Sequence, residues 1–381
     1  MREFDAIAVG GGLAGTAFAL ELARQGQRVA IVERTAGPTL KVCGDFLSRE
    51  AQELLTYLGI DMRELGASHI STLRLISGAR SATAELPFAA AGLSRLRLDE
   101  ALLRRAQAAG AEIIRGGSAT AFVRGANEVR VSAGDLVLRA RYAALATGKH
   151  NLRGFPRGPG SSTAYKIQLS LTPAAACDLR DVVQLASYRG GYIGACSVDE
   201  ETATICWLMD RRAMREVGPD WRAHLAWIAQ RTARVGDLLA GAHFISERPA
   251  AVSAIPYGYM RRAAIAPNIF PLGDQLCVIP SFTGDGTSLA LSSGVAAAQA
   301  VLAGKSAGEF QRSVLQRVRR QFFCARAIEV TFKSAPLRAL GVGAIAALPA
   351  LAGLAASLTR LKGVDELIRA PGFSDATARA R

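Results

Sequence analysis

The sequence predicts an α/β fold: a nucleotide-binding domain, a second sheet-based domain inserted into it, and a helical tail. Three observations predict it. Two short apolar runs, residues 4–9 and 28–33, flank a glycine turn and a helical stretch. Strand-like alternation returns over residues 163–262, and from residue 287 the pattern is almost wholly helical.

The first element is the most specific. Gly10, Gly12 and Gly15 have the G-x-G-x-x-G spacing between a buried strand and a helix. The spacing gives a tight turn, close approach of backbone to a pyrophosphate, and close helix–strand packing. The helix then directs free N–H groups and its positive dipole end at the phosphates. Glu33 ends the second strand, where a carboxylate can accept both hydroxyls of an adenosine ribose and repel a 2′-phosphate. A Rossmann-type unit holding NAD or FAD is expected.

The 381 residues, half of them hydrophobic, suffice for one large or two ordinary domains. Strand formation from about residue 4 leaves no room for a signal peptide. The six cysteines have no CxxC or framework spacing, which suits a reducing cytoplasm. No metal site is expected. The net charge is +14, from arginines spread along the chain without interleaved aromatics, so a nucleic-acid platform is not expected. The charge suits either a solvated surface or attraction to an anionic membrane or an acidic carrier protein.

Along the chain, residues 34–48 form a punctuated loop carrying Cys43-Gly44, and Ser48 caps a helix over 52–58. Gly44 admits a ligand to the backbone; Cys43 reads either as a small buried hydrophobe or as a site residue. Residues 71–89 are strands of the second sheet. A helix over 95–109, capped by Asp99, leads to a strand at 111–114. A hairpin over 118–124 and 128–139 turns at 125–127. The run 141–148 is a buried strand ending in Thr147-Gly148, and 151–162 is a Pro/Gly-rich linker.

The second domain offers strands at 181–188, 191–197 and 202–209 and a helical segment over 218–239. Tyr188, Tyr192, Trp207 and Met209 alternate there, either as pocket lining or as sheet core. A further strand ends in Gly273-Asp274. Thr283-Gly284-Asp285-Gly286 then opens an Ala-rich helix over 287–302. In an FAD protein the acid would bind a ribityl hydroxyl, and the helix N-terminus would receive the flavin O2 or N1. The tail is an amphipathic basic helix over 308–333, then the uncharged stretch 339–358. That stretch approaches a membrane span in length but contains Pro349 and several glycines. It reads as a groove-covering helical pair, a monotopic membrane contact, or a span. Residues 371–381 read as frayed.

Together these motifs resemble the FAD site of the glutathione-reductase-like flavoproteins over roughly residues 1–305. The resemblance is carried by Gly10, Gly12, Ala14, Gly15, Glu33 and Arg34 in the first unit, by Ala146-Thr147-Gly148 and by Gly273-Asp274. Arg95 has the spacing of the arginine that meets the FAD pyrophosphate in aromatic hydroxylases. Within that group, Cys43-Gly44, Thr283-Gly284-Asp285-Gly286 and Ser293-Gly294 resemble the geranylgeranyl reductase-like branch. Its members reduce isolated double bonds of prenyl chains. Three patterns depart. The branch's Tyr-x-Trp-x-Phe-Pro motif is replaced by Tyr188-Arg-Gly-Gly-Tyr192-Ile-Gly194. The hydroxylases' Asp-Gly is Thr147-Gly148 here, and the halogenases' Trp-x-Trp-x-Ile-Pro does not occur.

The resemblance implies FAD, a hydrophobic small-molecule substrate (free or carrier-linked), and NAD(P)H or a reduced electron-transfer protein as donor. It divides the chain into an FAD domain (1–75, 95–162, 263–305), a substrate domain (76–94, 163–262) and a C-terminal helical region (306–381). The expected activity is reduction of a carbon–carbon double bond in a prenyl, lipid or polyketide substrate. The alternative is monooxygenation of a hydrophobic or carrier-linked secondary metabolite. Cys43 is the expected proton donor or guide over the flavin, and Tyr192 and Trp207 the expected pocket. The expected location is the cytoplasm, with the inner membrane surface as an alternative.

Overall fold

The computed structural model describes residues 1–125 and 128–369. The tip of the expected turn at 125–127 and the expected frayed end at 371–381 fall outside the described residues.

Two sheets carry the molecule. The first has strand order Glu112–Arg115, Val29–Glu33, Arg2–Val9, Leu136–Leu145, Val129–Ala133, Ala119–Arg124, with Ile269–Pro271 also paired to Leu136–Leu145. The strands at its nucleotide end are parallel. Their central stretches, residues 6–9, Val29–Glu33 and 143–145, are buried on both faces, as central parallel strands must be, while the edge strand Glu112–Arg115 is half-buried. The helix Leu13–Arg24 crosses this sheet and is almost wholly buried between it and the helix Gly286–Leu302. Glycine makes that packing possible: a Cβ on Gly294 would stand 2.4 Å from the Ala14 carbonyl oxygen.

The second sheet has order His243–Phe244, Ser162–Ser170, Thr202–Asp210, Gly191–Ser197, Asp181–Tyr188, Ser68–Ser77, Arg80–Gly92, Phe46–Leu47, with Ala250–Ile255 added beside Ser162–Ser170. Helices Pro173–Leu179, Arg211–Val217, Trp221–Arg231 and Ala233–Leu239 cover one face and form its core. The other face looks toward the first domain. The second sheet thus takes Phe46–Leu47 and the whole of Ser68–Ser77 out of the N-terminal segment.

Several expectations shift. The helix over 218–239 is two helices, Trp221–Arg231 and Ala233–Leu239, preceded by a third at Arg211–Val217. The expected hairpin is a three-strand meander, because 128–139 turns again after Ala133 and its last strand runs unbroken into 141–145. Asp99 does not cap its helix: Ser94 does, and Asp99 is buried one turn inside, paired with Arg95. The segment read as a linker is anchored, since buried Arg157 bonds the carbonyls of Lys149 and Asp274 and the side chain of Asn151.

The tail is a 27-residue helix, Ala307–Lys333, opened by a Ser306–Glu309 capping box. The uncharged stretch is a pair, Ala335–Ala347 and Ala350–Leu358, bent by 118° at the break that contains Pro349. Among the described residues no single helix is long and apolar enough to cross a membrane. The pair packs on Arg80–Gly92.

Candidate active site

One cavity of about 820 Å³ runs from the glycine turn, between the two sheets, to the tail helices. Its first part is a groove for a dinucleotide. Gly10, at φ +114°, has no space for a side chain: a Cβ would meet the Ala146 carbonyl oxygen at 2.4 Å. The helix that follows has no side-chain cap, so its first N–H groups remain available. A Cβ built on Gly12 would lie 3.9 Å from both Arg95 Nη2 and Lys41 Nζ. Two cations therefore face the helix N-terminus, as a pyrophosphate requires.

Glu33 is buried and accepts hydrogen bonds from the Gly11 N–H at 2.8 Å and from the backbone and hydroxyl of Thr35 at 3.1 and 3.0 Å. Burial alone would raise its carboxyl, but Lys41 and these bonds outweigh burial and hold it below its ordinary value. It is a charged acceptor at the end of the second strand. Arg34 lies 2.9 Å from His150 Nε2, and burial followed by the cations Arg34, Arg157 and Lys149 depresses that imidazole. Arg95 is held by a bidentate pair with Asp99 at 2.6 and 3.0 Å, and Lys41 Nζ reaches Asp99 at 3.0 Å.

Thr147 and Gly148 cross to the Gly273–Gln275 turn through Gln275, which sequence reading missed. Its buried amide donates to Thr147 Oγ1, Gly148 O and His150 O at 2.8–2.9 Å. Ser293 Oγ accepts from the Gly273 N–H at 2.9 Å. The Ser293-Gly294 pair therefore supports the site from behind: the serine fixes Gly273 and the glycine admits the first helix. Asp274 is paired with Lys149 at 3.6 Å, which keeps that lysine charged.

Beyond the groove, Cys43 and Gly44 line the cavity. Behind them Asp45, at φ +57° and fully buried, accepts from Lys166 at 2.5 Å, Thr204 at 2.6 Å and the Arg95 N–H at 3.2 Å. Cys196 Sγ donates to the Gly44 carbonyl at 3.3 Å. A buried ion pair thus anchors the Cys43-Gly44 loop. Opposite stand Thr283, Gly284 and Gly286 at the start of the uncapped helix Gly286–Leu302, Gly284 left-handed at φ +73°.

The remainder is a chamber walled by Leu73, Leu75, Leu86, Phe88, Leu185 and Leu208 and lined on another side by the tail pair. Tyr192 lines the wall, with its hydroxyl bonded to Ser281 Oγ. Ser281 in turn donates to Tyr257 at 2.9 Å, two partners that sequence reading missed. Burial pushes the Tyr257 phenol up to about 12 despite Lys149, so this network stays protonated. Trp207 also borders the cavity, while its ring is fully buried and stacks 5.1 Å from Tyr165 in the core under the helices. Tyr188 and Met209 share that core; the alternate residues Cys206 and Leu208 face the cavity. All six cysteines are free thiols. Among the described residues no cluster of three or more His, Cys, Asp or Glu could hold a metal ion.

A βαβ groove matched to a dinucleotide and opening on an apolar chamber defines a flavin-dependent oxidoreductase. The FAD binding domain family model matches residues 3–303, and the chain belongs to that family. It is 27% identical over 358 residues to the probable electron transfer flavoprotein-quinone oxidoreductase YdiS of Escherichia coli K12, covering 84% of this chain and 81% of that protein. It is 25% identical over 362 residues to protein FixC of Salmonella typhi, covering 83% and 81%. Among solved structures, the fold is similar to the myxobacterial chondrochloren halogenase CndH at a TM-score of 0.76, with 18% identity over 97% of this chain and 96% of that one. The resemblance thus stands at the level of FAD-binding oxidoreductases; nothing in these relatives singles out the geranylgeranyl reductase-like branch.

Proposed function

We propose that the protein is an FAD-dependent monooxygenase of a hydrophobic, elongated small molecule. The observation that carries this reading is the chamber: largely apolar walls continuous with the cofactor groove, bordered by the tail pair. Its side chains beyond the groove include no Asp, Glu or His among the described residues. Such a wall excludes water from the reacting edge and offers no carboxylic acid for protonating carbon, which suits oxygen insertion better than ionic reduction.

Bound FAD would supply the redox chemistry. Glu33 would bind its ribose, Arg95 with Lys41 and the Gly10–Gly15 turn its pyrophosphate, and Asp274 its ribityl chain. Gly284, Gly286 and the helix they open would face its pyrimidine edge. Cys43 and Gly44 would flank the ring system, and the Tyr192–Ser281–Tyr257 hydroxyls would orient a polar end of the substrate. The chain has one G-x-G-x-x-G segment, so electrons would come from transiently bound NAD(P)H or from a reduced electron-transfer protein. The names of the quinone-oxidoreductase relatives lend weight to the second. Alkene reduction is a second reading, favoured by the Cys43 thiol on the chamber wall.

The test is anaerobic. The flavin is reduced with dithionite and mixed with prenyl, acyl and polyketide compounds while its oxidised absorption band is followed. Flavin that stays reduced until oxygen is admitted, then yields a product one oxygen atom heavier, supports the proposal. Reoxidation without oxygen and a product two hydrogens heavier would replace it with the reductase.

A further inference from the structure

The tail pair has two unlike faces. Inward, Val342, Ile345, Ala352, Ala355 and Ala356 line the chamber. Outward, it leaves leucines in solvent: Leu340 is 67% and Leu354 57% exposed, with Leu337, Leu348, Leu351 and Leu358 exposed around them. A monomer gains nothing from such a patch in water. No charged residue lies between Arg338 and Arg360; both of these line the chamber, and the exposed cations beside the pair are Arg80 and Lys362. Arg80 reaches the Ala339 carbonyl at 3.3 Å, and Lys362 follows the second helix. The whole chain carries +14. Apolar tip, cationic edges and a sharp bend at Pro349 fit an element lying in a lipid interface rather than crossing it.

We propose that this bent pair seats on an anionic phospholipid bilayer, its leucines in the acyl boundary and its cations at the headgroups. The inner face of the same helices would then put the chamber beside a reservoir of hydrophobic substrate; this consequence rests on the function proposed above. A carrier protein or a second copy of the chain would need complementary acid or matching shape, whereas a bilayer needs only the apolar tip and the positive rim.

The experiment is sedimentation of the FAD-loaded full chain with phosphatidylcholine vesicles, with and without phosphatidylglycerol. The wild type is expected to pellet with the anionic vesicles and to be released in part by high salt. Leu340→Asp/Leu354→Asp is expected to reduce binding by roughly tenfold or more while flavin absorbance and melting midpoint stay unchanged. Wild-type protein left in the supernatant, or a variant that pellets as well as wild type, would overturn the proposal. So would a patch-dependent dimer that ignores vesicles, or retention on an acyl-carrier protein but not on lipid. Vesicle binding is read without turnover, so it stands or falls separately from the flavin chemistry.

Discussion

The guanidinium of Arg360, at the end of the tail pair, lies 3.0 Å from the Asp285 carboxylate at the start of the helix Gly286–Leu302. The same guanidinium donates to the Thr283 carbonyl at 2.5 Å and sits 5.1 Å from the Phe88 ring centroid on the chamber wall. One side chain therefore joins tail, candidate flavin loop and chamber. Burial is the largest influence on Asp285 and pushes its carboxyl from 3.8 up to about 7, against the pull of Arg360 and against bonds from Thr283 and Gln321.

A pH signature follows. The native carboxyl holds its proton more tightly than the unfolded one. Its contribution is therefore full below the unfolded value and is lost as pH rises through about 7. Asp285→Asn should flatten the loss of melting temperature between about pH 4 and pH 7 relative to wild type. Arg360→Gln should steepen it, because the carboxylate loses its cation. Identical profiles for all three proteins would show that Asp285 is solvated.

Glu33 makes its own prediction. Its oxygens are already oriented by Gly11 and Thr35. A charge-assisted hydrogen bond contributes about 1.5–3 kcal/mol, so Glu33→Gln should weaken FAD binding on the order of tenfold to a hundredfold, measured by flavin fluorescence on titration. Undiminished affinity would remove Glu33 from the ribose site.

Parts of this site were legible because they are local. The Gly10–Gly15 spacing, the Glu33 strand end and Gly273-Asp274 each declare themselves within a few residues. The rest depends on pairing across long separations. No strand is expected over Ser162–Ser170 from the sequence, because the polar Lys166 and Gln168 interrupt its apolar pattern. Both are buried, because Asp45 and Ser94 lie opposite them. Alternation divided Cys206 and Leu208 from Trp207 and Met209 but could not assign a face. Helices packed on one side of the sheet decide that, and they claim Trp207. Asp99 looked like a cap although Arg95 stands one helical turn before it; its other partner, Lys41, lies far off in the sequence.

The Asp45–Lys166 pair is fully buried, so removing one partner strands a charge. Lys166→Met should destabilise by about 3–5 kcal/mol, seen as a lower melting midpoint and early loss of flavin. Asp45→Asn/Lys166→Met should recover much of that loss, since neither side chain then carries charge. A double variant no better than the single one would place the cost in packing around the substituted side chain in the sheet rather than in electrostatics.

Close helix packing gives a sharper steric test. A methyl on Gly294 would meet the Ala14 carbonyl oxygen at 2.4 Å and the Ala17 methyl at 3.0 Å. Backbone cannot swing aside as a side chain can. Gly294→Ala should therefore part the two helices and cost about 1–3 kcal/mol, with reduced FAD content because Ser293 and Gly273 shift with the helix. Gly286→Ala is the matched control: it has nothing within 4 Å of a built Cβ and should keep both stability and fold.

Cys43 separates the two proposed chemistries. It lines the chamber beside Gly44, and its loop is fixed from behind by Asp45 and Cys196. Removing the thiol should therefore leave the loop and FAD binding in place. If an alkene is reduced, carbon must take a proton, and with no carboxylic acid in the chamber the Cys43 thiol would be a candidate donor. Cys43→Ala would then lower single-turnover reoxidation by roughly a hundredfold or more, within the usual span of general acid catalysis. If oxygen is inserted, no such proton is needed from this side, and the variant should turn over within about threefold of wild type. Single-turnover flavin reoxidation, with and without oxygen, reads both outcomes in one preparation.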